Sequence, residues 1–198
     1  KSLFDILLSL LGMRCFVPLG GIISLGIYID SPGPVVFAHK RVGKSGKEFS
    51  CYKFRTMVPD AEKVLQAYLA KNPAAKEEWD NSFKLKDDPR VTRVGKFLRQ
   101  TSLDELPQVM NVIKGEMSLV GPRPIVKAEI EKYGEYIRDF YLVPPGITGM
   151  WQVNGRSDTT YAERVAMDTW YVRNWSIWMD LVYLFKTIAV VIRKEGAY

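Results

Sequence analysis

The stretch "LFDILLSLLGMRCFVPLGGIISLGIYI", Leu3 to Ile29, constrains the fold more than any other part of the chain. It is almost uniformly apolar, and as one unbroken helix it would be ~40 Å long, more than a bilayer core needs. It is too long for a core helix of a chain this size. No small-residue cleavage site closes it, which disfavours a signal peptide. Three features oppose a simple spanning helix. Pro18 removes one helical hydrogen bond near the middle. Gly20 and Gly21 weaken the helix just after it. Asp5 and Arg14 place charge inside the run, which is expensive at the bilayer centre. A helix broken at Pro18 that enters the membrane and returns on the same side keeps those charges shallow. Lys1 before the run and the basic "HKRVGKSGK", His39 to Lys47, after it also favour a return over a crossing, because basic flanks prefer the cytoplasm. The sequence therefore divides into a re-entrant membrane helix-break-helix over 1–29 and one functional unit over 30–198.

The chain as a whole has the composition of a packed protein. The 198 residues are 47% hydrophobic and 25% charged, which excludes a disordered chain. A net charge of +6 favours anionic partners such as phosphates or an anionic membrane surface. The apolar opening argues against a soluble nucleic-acid binder, so no nucleic acid is expected. With His39 as the only histidine and Cys15 and Cys51 as the only cysteines, a His/Cys zinc site, a Ser-His-Asp triad and a disulfide framework are all hard to build. His39 reads as a surface residue.

"DSPGP", Asp30 to Pro34, is a turn cluster. "VVF" and "EFSCYKFRTM" read as strands. Residues two apart share a strand face, so Lys53 and Arg55 become adjacent cations and a candidate phosphate clamp. Asp60 to Phe83 reads as a helical hairpin broken at Asn72-Pro73. A turn at Asp88-Pro89 leads into a basic helix whose apolar side is marked by Val91, Val94 and Phe97/Leu98. From Tyr161 to Ile192 the pattern is helical and rich in Trp and Tyr, which suits an interfacial helix or a core helix with aromatic anchors. The expected fold class is α+β: a compact, mostly helical domain with a small β-sheet and interfacial amphipathic helices.

The densest chemistry lies in "TSLDELPQ", residues 101 to 108. Asp104 and Glu105 are neighbours, which on a helix point about 100° apart. Ser102 and Glu105 match the capping-box spacing S-x-x-E. Pro107 disagrees, because with Ser102 as N-cap it would sit where its missing N–H is needed. A helix starting at Asp104 or Glu105 places Pro107 in the first turn instead. Leu106, Val109, Met110 and Ile113 then share a face, and Gly115 ends the helix. Two readings fit. The acids cap the helix and complement its dipole. Alternatively Asp104, ionised, is a nucleophile toward phosphorus, with Glu105 accepting protons or helping hold a metal.

Two loops add polar groups. In "GEMSLVGPRP", Pro122 and Pro124 fix the backbone around Arg123 and lower the entropy of placing its guanidinium. "VPPGITGMWQVNGR" carries Gln152, Asn154 and Arg156 in a Pro/Gly-rich segment of a kind that often bears function.

Several stretches taken in order, "KSLFDILLSLL", "DSPGPVVF", "RVGKSGKEFSCYKFRTM", "TSLDELPQVMNVIKGEMSLVGPRP" and "PPGITGMWQVNGR", resemble the bacterial sugar transferase family, the monotopic phosphoglycosyl transferases. The ending "LFKTIAVVIRKEGAY" is similar to the undecaprenyl-phosphate galactose phosphotransferase branch. The resemblance implies transfer of a phospho-sugar from a UDP-sugar, UDP-galactose by branch, to undecaprenyl phosphate, with release of UMP and formation of a covalent aspartyl intermediate. It implies Mg²⁺, membrane lipids as surroundings, the cytoplasmic face of a bacterial inner membrane, and a role at the start of O-antigen, capsule or exopolysaccharide assembly. A homodimer is compatible with it. Carried over by motif, Asp104 is the nucleophile and a metal contact, and Glu105 its partner. Lys53, Arg55 and Arg99 contact phosphates, and Arg123 binds substrate, with Gln152, Asn154 and Arg156 as further contacts. The family's break is usually Ser-Pro; here it reads Val17-Pro18. The competing reading is a non-catalytic, membrane-tethered module that holds anionic lipid.

Overall fold

The computed structural model describes residues 1–83, 85–155 and 159–193. Helix α1 runs Ser2–Asp30 and is helical through Pro18. The interruption expected at Pro18 is therefore not observed: proline removes a single hydrogen bond, and the helix continues through it despite Gly20 and Gly21. Apolar all round, α1 leaves Leu3, Leu7, Leu11, Val17, Ile22 and Ile29 exposed. A helix with that pattern needs an apolar surrounding other than this chain's own core. By length and composition it is able to cross a membrane.

Its few buried residues fasten it at both ends. Near the start, the Lys1 ammonium lies 2.5 Å from Asp180 and the Ser118 hydroxyl donates to Asp5 at 2.8 Å. Near the end, Ile23 and Ile27 pack with Phe54 and Leu98. Asp30 accepts from the backbone N–H of Val94 at 2.9 Å.

Strands β1 (Val36–Val42) and β2 (Glu48–Phe54) form an antiparallel hairpin in which Arg41 faces Phe49 and Phe37 faces Lys53. On β2, Phe49 and Cys51 are buried against Val112 and Met117, as alternation requires. The expected helical hairpin is α2 (Ala61–Lys71) and α3 (Pro73–Ser82), with Pro73 starting the second helix, where its missing N–H costs nothing. Helix α4 (Arg93–Thr101) is capped by Thr92, whose hydroxyl accepts from the Gly95 N–H. It buries Leu98 and leaves Phe97 exposed, so its inner side is Val94, Gly95 and Leu98 rather than Phe97. Gly95 is required there: a Cβ would stand 2.1 Å from the Thr56 carbonyl oxygen.

After α4 the chain forms a 3-10 helix over Leu103–Gln108 and then a short α5 (Val109–Ile113). The expected face is only partly observed. Val109 and Val112 are buried with Asn111, whereas Met110 is exposed. Three residues per turn in the 3-10 segment shift the phase relative to a continuous α-helix. Gly115, at φ 75°, follows the helix end as expected.

Strand β3 (Ser118–Val120) pairs in parallel with β4 (Gly146–Thr148), so the segment read as a loop is partly a strand. Helices α6 (Ile130–Tyr133) and α7 (Ile137–Phe140) lie between them, and α8 (Met150–Asn154) follows. The C-terminal helical stretch divides into α9 (Tyr161–Arg173) and α10 (Ile177–Arg193). Val120, Tyr171 and Tyr183 join β3 to both, while Trp178, Phe185 and Ile188 of α10 stay exposed. The α+β class is observed, with two two-stranded sheets among the described residues.

Candidate active site

Asn111 fixes the position of the acids. It is fully buried; its side-chain carbonyl accepts from the Tyr52 N–H at 3.1 Å, and its amide donates to the Ser50 carbonyl and to Glu116. Its backbone carbonyl accepts from the N–H groups of Glu116 and Met117. One side chain thus sets the register of β2 against the 3-10 helix and α5.

That register brings Lys53 to both acids. Its Nζ lies 2.5 Å from Glu105 Oε1 and 3.8 Å from Asp104 Oδ2. The capping-box hydrogen bond from Ser102 does not form; Ser102 sits at φ 56° as the cap of α4, and both acids fall in the first turn of the 3-10 helix. Ser102 is also the N-cap position of the 3-10 helix and Pro107 lies inside it, so the start expected at Asp104 or Glu105 is not observed; the change of helix type accommodates the proline. Asp104 behaves differently from a dipole-stabilised carboxylate. Burial pushes its carboxyl up to about 6, against the opposing pull of Lys53. In so short a helix the dipole is small and desolvation dominates.

A cavity of about 580 Å³ opens over Asp104 and Glu105. Its polar side carries Arg99, Arg123, Gln152 and Arg164. Its apolar side is made by Phe16 of α1, Leu106, Val109, Leu119 and Val190 of α10, among others. The Arg99 Nε donates to Thr56 at 2.9 Å, and burial lowers the basicity of its guanidinium. The Arg123 and Arg164 guanidiniums stand 5.8 and 4.5 Å from the ring centre of Trp151, so one buried indole orients two cations. Gln152 donates to the Ile147 carbonyl at 3.0 Å, tying α8 to β4.

The remaining expected residues lie elsewhere. Arg55 follows the end of β2 and donates to the Ser31 carbonyl, packing against Gly33 rather than continuing the row begun by Lys53. The strand ends at Phe54, which undoes the alternation used to pair the two cations. Asn154 accepts from Lys186 at 3.1 Å and does not line the cavity. Arg156 lies outside the described residues. Sequence reasoning did not find Arg164, whose position on α9 looks like an ordinary exposed helix charge, nor Asn111, hidden in an apolar run.

The acids and Lys53 form a compact charge centre able to attack phosphorus, with cations placed to receive phosphate oxygens. Among the described residues no cluster of three or more His, Cys, Asp or Glu forms an all-protein metal cage. Asp104 and Glu105 still fit Mg²⁺, which takes one or two carboxylates and fills its other positions with water and substrate phosphate. Both carboxylates already converge on one cation, Lys53.

The chain is 50% identical over all 198 residues to an undecaprenyl-phosphate galactose phosphotransferase of Salmonella typhimurium, and covers 41% of that protein. It is 48% identical over 198 residues to a UDP-galactose-lipid carrier transferase of Erwinia amylovora, again covering all of this chain and 41% of the relative. It is 49% identical over 199 aligned residues to the exopolysaccharide production protein ExoY of Sinorhizobium fredii, covering all of this chain and 88% of that protein. The chain thus spans about two-fifths of the length of the first two relatives. The family model described as bacterial sugar transferase matches residues 1–194, and the chain belongs to that family.

Proposed function

We propose that this chain carries the catalytic part of a phosphoglycosyl transferase. It moves a phospho-sugar from a UDP-sugar, UDP-galactose in the first instance, to undecaprenyl phosphate, at the start of O-antigen, capsule or exopolysaccharide assembly. The observation that carries the reading is the two-sided cavity: acids and guanidiniums on one side, apolar residues of α1 and α10 on the other. A lipid phosphate needs both in one place. The names of the galactose and lipid-carrier relatives support the sugar and the acceptor.

The reaction divides into two displacements. An ionised Asp104 oxygen attacks the sugar-bearing phosphorus of the UDP-sugar. A P–O bond to Asp104 forms, the bond to the bridging oxygen breaks, and UMP leaves. A phosphate oxygen of undecaprenyl phosphate then attacks the same phosphorus. The bond to Asp104 breaks, restoring the carboxylate and giving the lipid-linked diphospho-sugar. Glu105 holds the Lys53 ammonium beside Asp104. Lys53, Arg99, Arg123 and Arg164 offset the charge of an anion approaching an anionic nucleophile. Asp104 and Glu105 would hold Mg²⁺, which would supply positive charge to offset that of the phosphates.

Residues 1–29 form the membrane element and 30–198 the catalytic unit. α1, a helix continuous through Pro18, lies in one leaflet without crossing it, with the body on the cytoplasmic face of the inner membrane. Fastening of both ends of α1 to the same body supports this path, because a crossing would carry one end away. Cysteine labelling tests it: residues 1 and 47 react from the same side, and reaction from opposite sides refutes it.

UMP release over a panel of UDP-sugars with undecaprenyl phosphate tests the activity. Release with UDP-galactose that Asp104→Ala abolishes, with membrane binding intact, is expected. No release with any UDP-sugar refutes the reading in favour of a non-catalytic lipid-binding module.

A further inference from the structure

The first half of α1 is held to the body by polar groups. The buried residues of α1 are Asp5, Ser9, Ile23 and Ile27, so its second half packs through apolar side chains and its first half through an acid and a hydroxyl. Asp5 is buried and accepts from the Ser118 hydroxyl of β3 at 2.8 Å. Asp180, in the first turn of α10, is 1% exposed. Its Oδ2 receives the Lys1 ammonium at 2.5 Å and the Trp175 indole N–H at 2.9 Å, and its Oδ1 receives the Tyr171 hydroxyl at 2.5 Å. The Lys1 ammonium also lies 5.7 and 5.6 Å from the ring centres of Tyr171 and Trp175, within reach of both π-faces. The reaction above uses none of these groups.

A buried ion pair is a poor device for stability alone, because apolar residues of the same shape often serve as well. Its value here is direction. In lipid there is little hydrophobic force to press a helix onto a protein, so close packing and hydrogen bonds decide where the helix lies. Leu3, Leu7 and Leu11 of this half are exposed, which leaves the polar contacts to seat it. Phe16, at the far end of the same half, is the residue of α1 that lines the cavity. Thr187, Val190 and Val191 of α10 line it too, and α10 is fixed there by the hydrogen bond between the Thr148 and Thr187 hydroxyls at 2.7 Å. The two helices are joined at their starts, Lys1 to Asp180, and each reaches the cavity further along. The seat of α1 therefore sets where Phe16 stands against α10.

We infer that Asp180 and Ser118 are positioning residues, which hold the first half of α1 so that Phe16 and α10 together seat the hydrocarbon of the lipid acceptor. This inference rests on the transferase reading for its kinetic test, but not for its structural one.

The two displacements separate the effect. With a covalent intermediate between them, kcat/KM for the UDP-sugar reports the first and kcat/KM for undecaprenyl phosphate the second. Asp180→Asn removes the charge that the Lys1 ammonium meets. It should lower kcat/KM for undecaprenyl phosphate by about tenfold or more, the scale of one lost charge-assisted hydrogen bond. kcat/KM for UDP-galactose, and the burst of UMP formed without lipid, should be unchanged. An equal loss in both halves, or an unchanged value for undecaprenyl phosphate, overturns the inference. If Asp180→Asn does not fold, Ser118→Ala, which removes the hydroxyl that Asp5 accepts from, enters the same comparison with the same outcomes.

Spin labels decide the position of α1 without activity. Leu7 on α1 and Phe185 on α10 are both exposed, and Cys15 is the exposed native thiol to remove. Labels at Leu7→Cys and Phe185→Cys in a Cys15→Ser background, in lipid nanodiscs, should give one narrow distance distribution. Adding whichever of Asp180→Asn or Ser118→Ala folds should broaden or shift it. An unchanged distribution overturns the inference. A parent protein that releases no UMP with any UDP-sugar defeats the transferase reading alone, and the distance comparison still applies.

Discussion

Lys53 is bound to Glu105 at 2.5 Å while its distance to the neighbouring Asp104 is 3.8 Å. The shared ammonium therefore favours Glu105 over its neighbour. Glu105 holds it, and Asp104 is left more buried and less neutralised, with side-chain exposures of 31% and 14%. Two identical functional groups one residue apart are separated by environment into an ion-paired carboxylate and a more buried one.

Asp104 is therefore destabilising. Its folded carboxyl keeps its proton up to about pH 6, whereas its ordinary value is 3.8. Between those values folding takes up a proton, so its contribution to stability is fully present below 3.8 and is lost as pH rises through 6. Asp104→Asn removes the ionised group, and at pH 7.5 should stabilise the fold by up to about 3 kcal/mol. Thermal unfolding in detergent at pH 7.5 and pH 4 checks this: the gain should be large at the higher pH and small at the lower.

The same ionisation controls activity. UMP formation should fall below about pH 6, as Asp104 becomes protonated. Lys53 opposes the upward shift, so Lys53→Met should move the acid limb to higher pH as well as lowering the rate. A pH profile of kcat/KM for both proteins measures it, and an unmoved limb would mean that another group titrates.

Asn111 should be the most costly polar residue to replace. Asn111→Ala strands the Tyr52 N–H and the Ser50 carbonyl in the interior, each at about 1–3 kcal/mol. It also frees β2 to slip against the 3-10 helix. Urea unfolding should show a lower midpoint, and the surviving folded protein should have lost kcat, because Lys53 no longer meets the acids.

Gly95→Ala tests the seat of α4. The added methyl would meet the Thr56 carbonyl at 2.1 Å, so the helix must move outward. A cost of about 1–3 kcal/mol is expected from such overpacking. Arg99, which contacts Thr56 from the same helix, should lose its place, raising KM for the UDP-sugar.

Much of this was legible before the fold was seen. The acid pair, the apolar opening, the helical hairpin at Asn72-Pro73 and the proline-braced Arg123 all follow from local chemistry. Neither cue at the acids was sufficient alone: the helix starts at Leu103 after Ser102, without the capping-box bond, and a 3-10 turn rather than a later start accommodates Pro107. What failed depended on where regular structure stops. β2 ends at Phe54, so alternation could not carry Arg55 alongside Lys53. The 3-10 turn put Met110 in solvent. α1 continues through Pro18 because one lost hydrogen bond does not end a helix so apolar. Arg164 and Asn111 act across long sequence separations, and no spacing within a short window reveals such contacts.

The central claim is that Asp104 takes the phospho-sugar covalently. Incubating the protein with a UDP-sugar labelled in the sugar, without lipid acceptor, and mapping the adduct by mass spectrometry tests it most directly. The account predicts one adduct, on Asp104, formed with one equivalent of UMP and discharged when undecaprenyl phosphate is added. An adduct on another residue, or full turnover with no adduct at any stage, would contradict it.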